Sequence, residues 1–250
     1  MSNSLRTIET SKNFAGVQAL SGIHLELSEG AILGLIGSNG SGKTTLLNII
    51  TGVLQPDSGQ VFVGDTEITG WRTDRIAMLG VGRTFQIARL FGSLSVVENV
   101  ELSVMSAPIK EDIDTQVIHL LDRLNLNQWT STQASILPYG VQRRLEIARA
   151  LGIHPRYLLL DEPAAGLNEE EAYELLTIIH GIREDPEFGC GILIIDHNPR
   201  LIMLLCDRIH VLDEGKTIAE GTPMEIRRDP VVIKAYLGKQ YESDEKVELE

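Results

Sequence analysis

Apolar positions along the chain follow two periods. Ile23, Leu25 and Leu27 alternate with polar residues, which predicts a half-buried strand. Residues 31–36 form a continuous apolar run ending in glycine-rich sequence, the pattern of a buried parallel strand. Residues 44–52 read as a helix. After the turn-like Pro56-Asp57-Ser58-Gly59, Val61 and Val63 suggest another alternating strand. From about Ser95 to Leu126 the period becomes helical, with Ile113, Val117, Leu120, Leu121 and Leu124 on one face. A third helix is expected after Gly140 through Arg149. Strand signals return at residues 157–160, 191–195 and 209–212. Alternating strands and helices with a helical block between them predict an α/β core with a helical subdomain beside it.

Composition narrows this picture modestly. The chain has 250 residues, with 43% hydrophobic and 23% charged, values of an ordinary globular protein long enough to bury a core without disulfides or metals. No run approaches the roughly 18 apolar residues of a membrane span. The N-terminus has no apolar segment of the secretory kind. The two cysteines, Cys190 and Cys206, are expected as buried thiols in a reducing cytosol. Net charge is −13, from 22 Lys plus Arg against 35 Asp plus Glu. That balance argues against a general nucleic-acid binder, which needs a basic surface. The last residues, 239–250, are charge-dense without a core pattern and are expected to be a solvated, disordered tail.

Chemistry enters with Gly37-Ser38-Asn39-Gly40-Ser41-Gly42-Lys43-Thr44, which fits G-x-x-x-x-G-K-[ST] between a strand and a helix. Glycines let the backbone amides wrap closely around phosphates, and the helix start faces the anion. Lys43 is placed to reach the β- and γ-phosphates and the Thr44 hydroxyl to coordinate Mg²⁺. Thr45 adds a further phosphate contact. Leu158-Leu159-Leu160-Asp161-Glu162 is an apolar run ending in two acids. Asp161 is assigned to Mg²⁺ and Glu162 to the general base that polarises the attacking water. His197 follows another buried run and is expected to donate to the γ-phosphate.

These motifs, with Arg83-Thr84-Phe85-Gln86 and LPYGVQRRLE at 137–146, resemble the nucleotide-binding subunit of an ABC transporter. The resemblance covers residues 6–238. It implies a P-loop NTPase core with a mixed, mainly parallel sheet, an antiparallel β part and an inserted helical subdomain at about 87–152. It places Gln86 in the Q-loop, linking Mg²⁺ to the helical subdomain. Gly140 falls in the signature motif, Asn168 in the D-loop, and Phe14 where an aromatic stacks on adenine. LPYGVQRRLEIARAL, DEPAAGLN and IAEGTPMEIRRDPVVIKAYLG narrow the resemblance to one ATPase of hydrophobic and branched-chain amino-acid importers. Pro138, Tyr139 and Val141 depart from the usual LSGGQ signature. Asn168 replaces an aspartate, and Asp196 stands where many members have glutamate.

The resemblance implies ATP and Mg²⁺ as cofactors. It implies a multi-span permease, a second ATPase subunit (a heterodimer first, a homodimer as the alternative) and, indirectly, a solute-binding protein. The expected location is peripheral, on the cytoplasmic face of the inner membrane. A short groove near Phe91, Leu94 and Val97 is a candidate for a permease helix, with simple core packing as the alternative. Other readings are an ATPase of a urea or amide importer, of a lipopolysaccharide exporter, or of iron–sulfur assembly. A DNA-repair or structural-maintenance ATPase would carry a long insert, which this sequence lacks.

Overall fold

The β-strands run in chain order as β1 (Ser4–Phe14), β2 (Val17–Ser28), β3 (Ile32–Gly37), β4 (Ser58–Val63), β5 (Thr66–Glu67), β6 (Val81–Arg83), β7 (Tyr157–Asp161), β8 (Gly191–Ile195), β9 (Arg208–Asp213) and β10 (Lys216–Gly221). They come from a computed structural model that describes residues 3–86, 89–107 and 112–237. The tail expected at 239–250 lies outside the described residues, as do Ile87 and Ala88.

One sheet has the order β2-β1-β4-β5 and is antiparallel throughout. The other has the order β10-β9-β3-β8-β7-β6. Its strands β9, β3, β8, β7 and β6 are parallel, and β10 closes one edge antiparallel. The mixed, mainly parallel sheet and the separate antiparallel part are those the resemblance implies.

The helices are α1 (Lys43–Ile50), α2 (Thr73–Met78), α3 (Val96–Met105), α4 (Ile113–Arg123), α5 (Tyr139–Leu151), α6 (Glu169–Glu184), α7 (Pro199–Leu205), α8 (Pro223–Arg228) and the short α9 (Pro230–Val232). Between the neighbouring parallel strands β6 and β7 the chain forms α3, α4 and α5.

Period-two alternation in the parallel strands feeds two cores, one on each face of the sheet. Ile32, Ile36, Leu158, Leu160, Ile192 and Ile194 face a core shared with α3 to α7. Leu33, Leu35, Leu159, Leu193 and Ile195 face a second core shared with α1 and the antiparallel sheet. Burial on both faces is why these strands read as unbroken apolar runs, whereas β2 alternates.

Two local expectations change. Ile113 is 39% exposed, because it opens α4 where the apolar stripe has run past the core edge; Val117, Leu120, Leu121 and Leu124 are buried as the pattern requires. The helix expected after Gly140 begins at Tyr139 and runs to Leu151, with Pro138 at its N-cap.

Candidate functional site

The parallel strands end on one side of the sheet, where open α/β sheets bind ligands. Strand β3 lies between β9 and β8 and runs into the glycine-rich loop and α1. The ends of β8, β7 and β6 follow in order across the sheet and deliver His197, then Asp161 and Glu162, then Gln86. Sheet order alone therefore brings together four segments far apart in sequence.

The loop's shape depends on glycine at two points. Gly37 has φ +150°, and a Cβ there would lie 2.0 Å from the Leu212 carbonyl oxygen. Gly42 has φ +104°, and its Cβ would lie 2.6 Å from the Ala19 carbonyl oxygen. The turn between β9 and β10 braces the loop from outside. Ser38 Oγ donates to Asp213 Oδ1 at 2.9 Å, and the Gly215 N–H donates to the Ser41 carbonyl at 3.1 Å. Lys43 Nζ donates to the carbonyls of Gly37 (2.9 Å) and Ser38 (3.0 Å). Burial pushes the Lys43 pKa down, opposed by the charges of Glu162 and Asp161. A buried ammonium resting on two neutral carbonyls is electrostatically suited to an arriving anion.

Asn39, Gly40, Gly42, Lys43, Thr44, Thr45, Glu162 and His197 line a single cleft of about 180 Å³. Within it Glu162 is held on both carboxylate oxygens. His197 Nε2 is 2.8 Å from Oε1, and Gln86 Nε2 donates to Oε2 at 3.0 Å. The Glu162 backbone has φ +51°, a left-handed conformation unusual outside glycine, and its N–H donates to the Ile195 carbonyl at 2.8 Å. Such strain costs of order 1–3 kcal/mol and persists where the surroundings impose it. Asp161 is 4% exposed and accepts from Arg83 Nη2 at 2.9 Å through Oδ2.

A profile of the ABC transporter family matches residues 20–165, more than half the chain. The chain belongs to the ABC transporter family. It is an ATP-binding, ATP-hydrolysing cassette of that family. A second profile, for branched-chain amino acid ATP-binding cassette transporters, matches residues 216–242 of this ABC ATPase. The high-affinity branched-chain amino acid transport ATP-binding protein BraF of Pseudomonas aeruginosa is 39% identical over 242 residues, covering 90% of this chain and 94% of BraF. The lipopolysaccharide export system ATP-binding protein LptB of Escherichia coli is 33% identical over 238 residues, covering 93% of this chain and 98% of LptB. The ADP conformation of MJ1267, an ATP-binding cassette of an ABC transporter, superposes with a TM-score of 0.84 at 29% identity, covering 96% of this chain and all of MJ1267.

Phe14, Gly140 and Asn168, singled out in the sequence of this ABC ATPase, lie outside the cleft lining. Phe14 ends β1 and is 43% exposed, with Lys12 Nζ 5.6 Å from its ring centroid, so it is not a core residue. Gly140 lies in the first turn of α5, where a Cβ would come 3.1 Å from Glu171 Oε1 of the same chain. Asn168 caps α6, its Oδ1 accepting from the Glu171 N–H at 2.9 Å while its own N–H donates to Glu171 Oε2. The proposed groove is also redistributed: Phe91 is 48% exposed under the Arg149 guanidinium, whereas Leu94 and Val97 are half-buried.

Other residues gain roles that the sequence reading left blank. Arg83 holds Asp161, and its Nη1 donates to Asn48 Oδ1 (2.7 Å) and Thr51 Oγ1 (3.1 Å). Asp196 is buried and accepts from the N–H groups of Asn198 and Ala164, which ties the end of β8 to the segment before α6. Burial pushes its carboxyl pKa up, partly offset by those amides. Arginine in an otherwise apolar strand, 78 residues from a candidate metal-ligating acid, was the available signal for the first of these.

Proposed function

We propose that this ABC ATPase powers a membrane importer of branched-chain or other hydrophobic amino acids. The observation that carries the mechanism is Glu162 held between Gln86 and His197 beside the phosphate loop. The similarity to BraF supports the substrate class, as does the profile match at 216–242. The LptB similarity keeps lipopolysaccharide export as the second reading.

In this reading the loop amides and Lys43 hold the ATP phosphates, and Glu162 takes a proton from the attacking water. His197 donates to the γ-phosphate as charge develops on it. The residues fit Mg²⁺: Thr44, Asp161 and Gln86 offer a hydroxyl, a carboxylate and an amide oxygen, hard donors of the kind this cation takes, with phosphate and water left to complete its shell. Thr44, Asp161 and Gln86 are the protein groups assigned to it, and Mg²⁺ supplies charge neutralisation of the phosphates. Asp161 would help hold the cation while its Oδ2 accepts from Arg83.

The chain carries one phosphate loop and one signature segment. A complete site then needs the signature of a second subunit, a different ATPase in the preferred arrangement and an identical one in the alternative. Gly140, Asn168 and Phe14 are assigned to that closed state, Phe14 against adenine. No helix among the described residues is long and apolar enough to cross a membrane. The similarity to transporter ATP-binding proteins supports a peripheral position for the subunit, in this reading on the cytoplasmic face against a multi-span permease fed by a solute-binding protein. A cavity of about 360 Å³ lined by Val53, Phe85, Arg89, Glu146 and Arg149 abuts the Gln86 segment and is assigned to a permease helix.

Co-purification of the tagged chain from gently solubilised membranes, with partners identified by mass spectrometry, tests the reading. A permease with a second ATPase and a binding protein for hydrophobic amino acids is the expected outcome. Soluble assembly proteins without a permease, or lipopolysaccharide-export components, would overturn it.

A further inference from the structure

A buried charge pair on α5 faces the segment that carries Gln86. Arg143 and Glu146 sit three residues apart on α5, with side chains only 3% and 8% exposed and Nη1 3.2 Å from Oε2. Removing two charges from water costs enough that such a pair is weak support for stability alone. This pair directs its hydrogen bonds outward, onto the backbone that carries Gln86. Arg143 Nη1 donates to the Phe85 carbonyl at 3.0 Å, and Nη2 donates to the Gln86 carbonyl at 2.6 Å. The Phe85 N–H donates to Glu146 Oε1 at 2.9 Å.

Strand β6 ends at Arg83, so residues 85 and 86 lie beyond its sheet ladder. The Phe85 N–H and the Phe85 and Gln86 carbonyls find their partners on α5. From this clamped peptide the Gln86 amide reaches Glu162 Oε2 at 3.0 Å. The same Arg143 guanidinium covers the Tyr139 ring, 5.1 Å from its centroid, and that ring packs on Gly166 before α6. One side chain thus joins the first turn of α5 to the segment that presents Gln86.

We propose that Arg143 and Glu146 are positioning residues for ATP hydrolysis: the pair fixes the Phe85–Gln86 backbone so that the Gln86 amide holds Glu162 in its working orientation. The proposal rests on the reading of Gln86 and Glu162 as site residues.

A double-mutant cycle on the co-purified assembly tests it. Arg143→Gln should lower kcat about tenfold, a coupling within the range measured for contacting residues, with KM for ATP changed less than about twofold. Arg143→Lys should restore part of the rate. In a Gln86→Ala background Arg143→Gln should cause no further loss, because the group through which it acts is gone. If Arg143→Gln does not fold, Glu146→Gln runs the same cycle, since its amide oxygen can still accept from the Phe85 N–H while the NH2 replaces the oxygen that accepts from Arg143. Independent losses that multiply, with Gln86→Ala itself impaired, overturn the clamp alone. A wild-type rate in Gln86→Ala overturns both the clamp and the reading of Gln86.

Discussion

His197 Nε2 lies 2.8 Å from Glu162 Oε1, across the ends of the neighbouring parallel strands β8 and β7. The contact orients the carboxylate that the mechanism uses as base, while Gln86 engages its other oxygen. Both partners are hydrogen-bonding groups at the edge of a polar cleft, so the arrangement can exchange partners when phosphate enters.

Replacing His197 by Ala removes the imidazole from Glu162 and from the phosphate. Loss of one donor to developing charge typically slows an enzyme about 10²- to 10³-fold. The His197→Ala protein should lose kcat in that range while still binding ATP, measured by steady-state turnover and fluorescent-nucleotide titration. A rate within about threefold of wild type would remove His197 from the mechanism.

Lys43→Ala should abolish nucleotide binding or nearly so. Relative to Lys43→Ala, the nucleotide-free wild-type protein should gain stability as pH rises through the folded Lys43 pKa. Burial holds the Lys43 pKa below its unfolded value, so the charged ammonium opposes folding at every pH below that unfolded value, and the opposition fades only as pH rises through the folded pKa. Calorimetry without nucleotide over alkaline pH checks the sign; a difference between the two proteins that does not change with pH would contradict it.

Arg83 and Asp161 are 6% and 5% exposed at their side chains. Arg83→Met leaves the carboxylate buried without its partner and should cost about 3–5 kcal/mol in urea denaturation. Pairing it with Asp161→Asn should recover part of that loss. A loss below about 1 kcal/mol would mean that water or another group compensates Asp161.

Much of the fold was legible in the sequence because the parallel strands are buried on both faces. Residues 31–36 and 157–160 could only be apolar there, and the glycines and acids at their ends marked the phosphate loop and the base. Strand β1 was missed because SLRTIETSKNF is mostly polar, and bulges break its pairing with β2 and β4. Strand β10 is an exposed edge and carries no apolar alternation. The hold of Arg83 on Asp161 spans 78 residues and exists only after the sheet assembles. The Arg143 and Glu146 spacing was visible on a helix, but nothing local marked that pair as buried or directed at Gln86.

His210 is 1% exposed in β9, with Nε2 2.8 Å from Thr217 Oγ1 and Nδ1 3.8 Å from Glu220 Oε2. Burial lowers its pKa, opposed by Glu220. The unfolded chain therefore binds the extra proton first, and His210 removes stability as pH falls from its ordinary value toward the folded pKa. Between about pH 7.5 and about pH 5.5, His210→Asn should lose less stability than wild type in paired urea titrations. An unchanged pH slope would show that His210 does not titrate across folding.

Glu162, presented at the end of β7, is the residue assigned as base for ATP hydrolysis. The most direct measurement is single-turnover hydrolysis by the Glu162→Gln assembly, with bound nucleotide quantified. Retained ATP and a rate lowered by about 10²- to 10⁴-fold are expected. Rapid conversion of the bound ATP to ADP, near the wild-type rate, would contradict it.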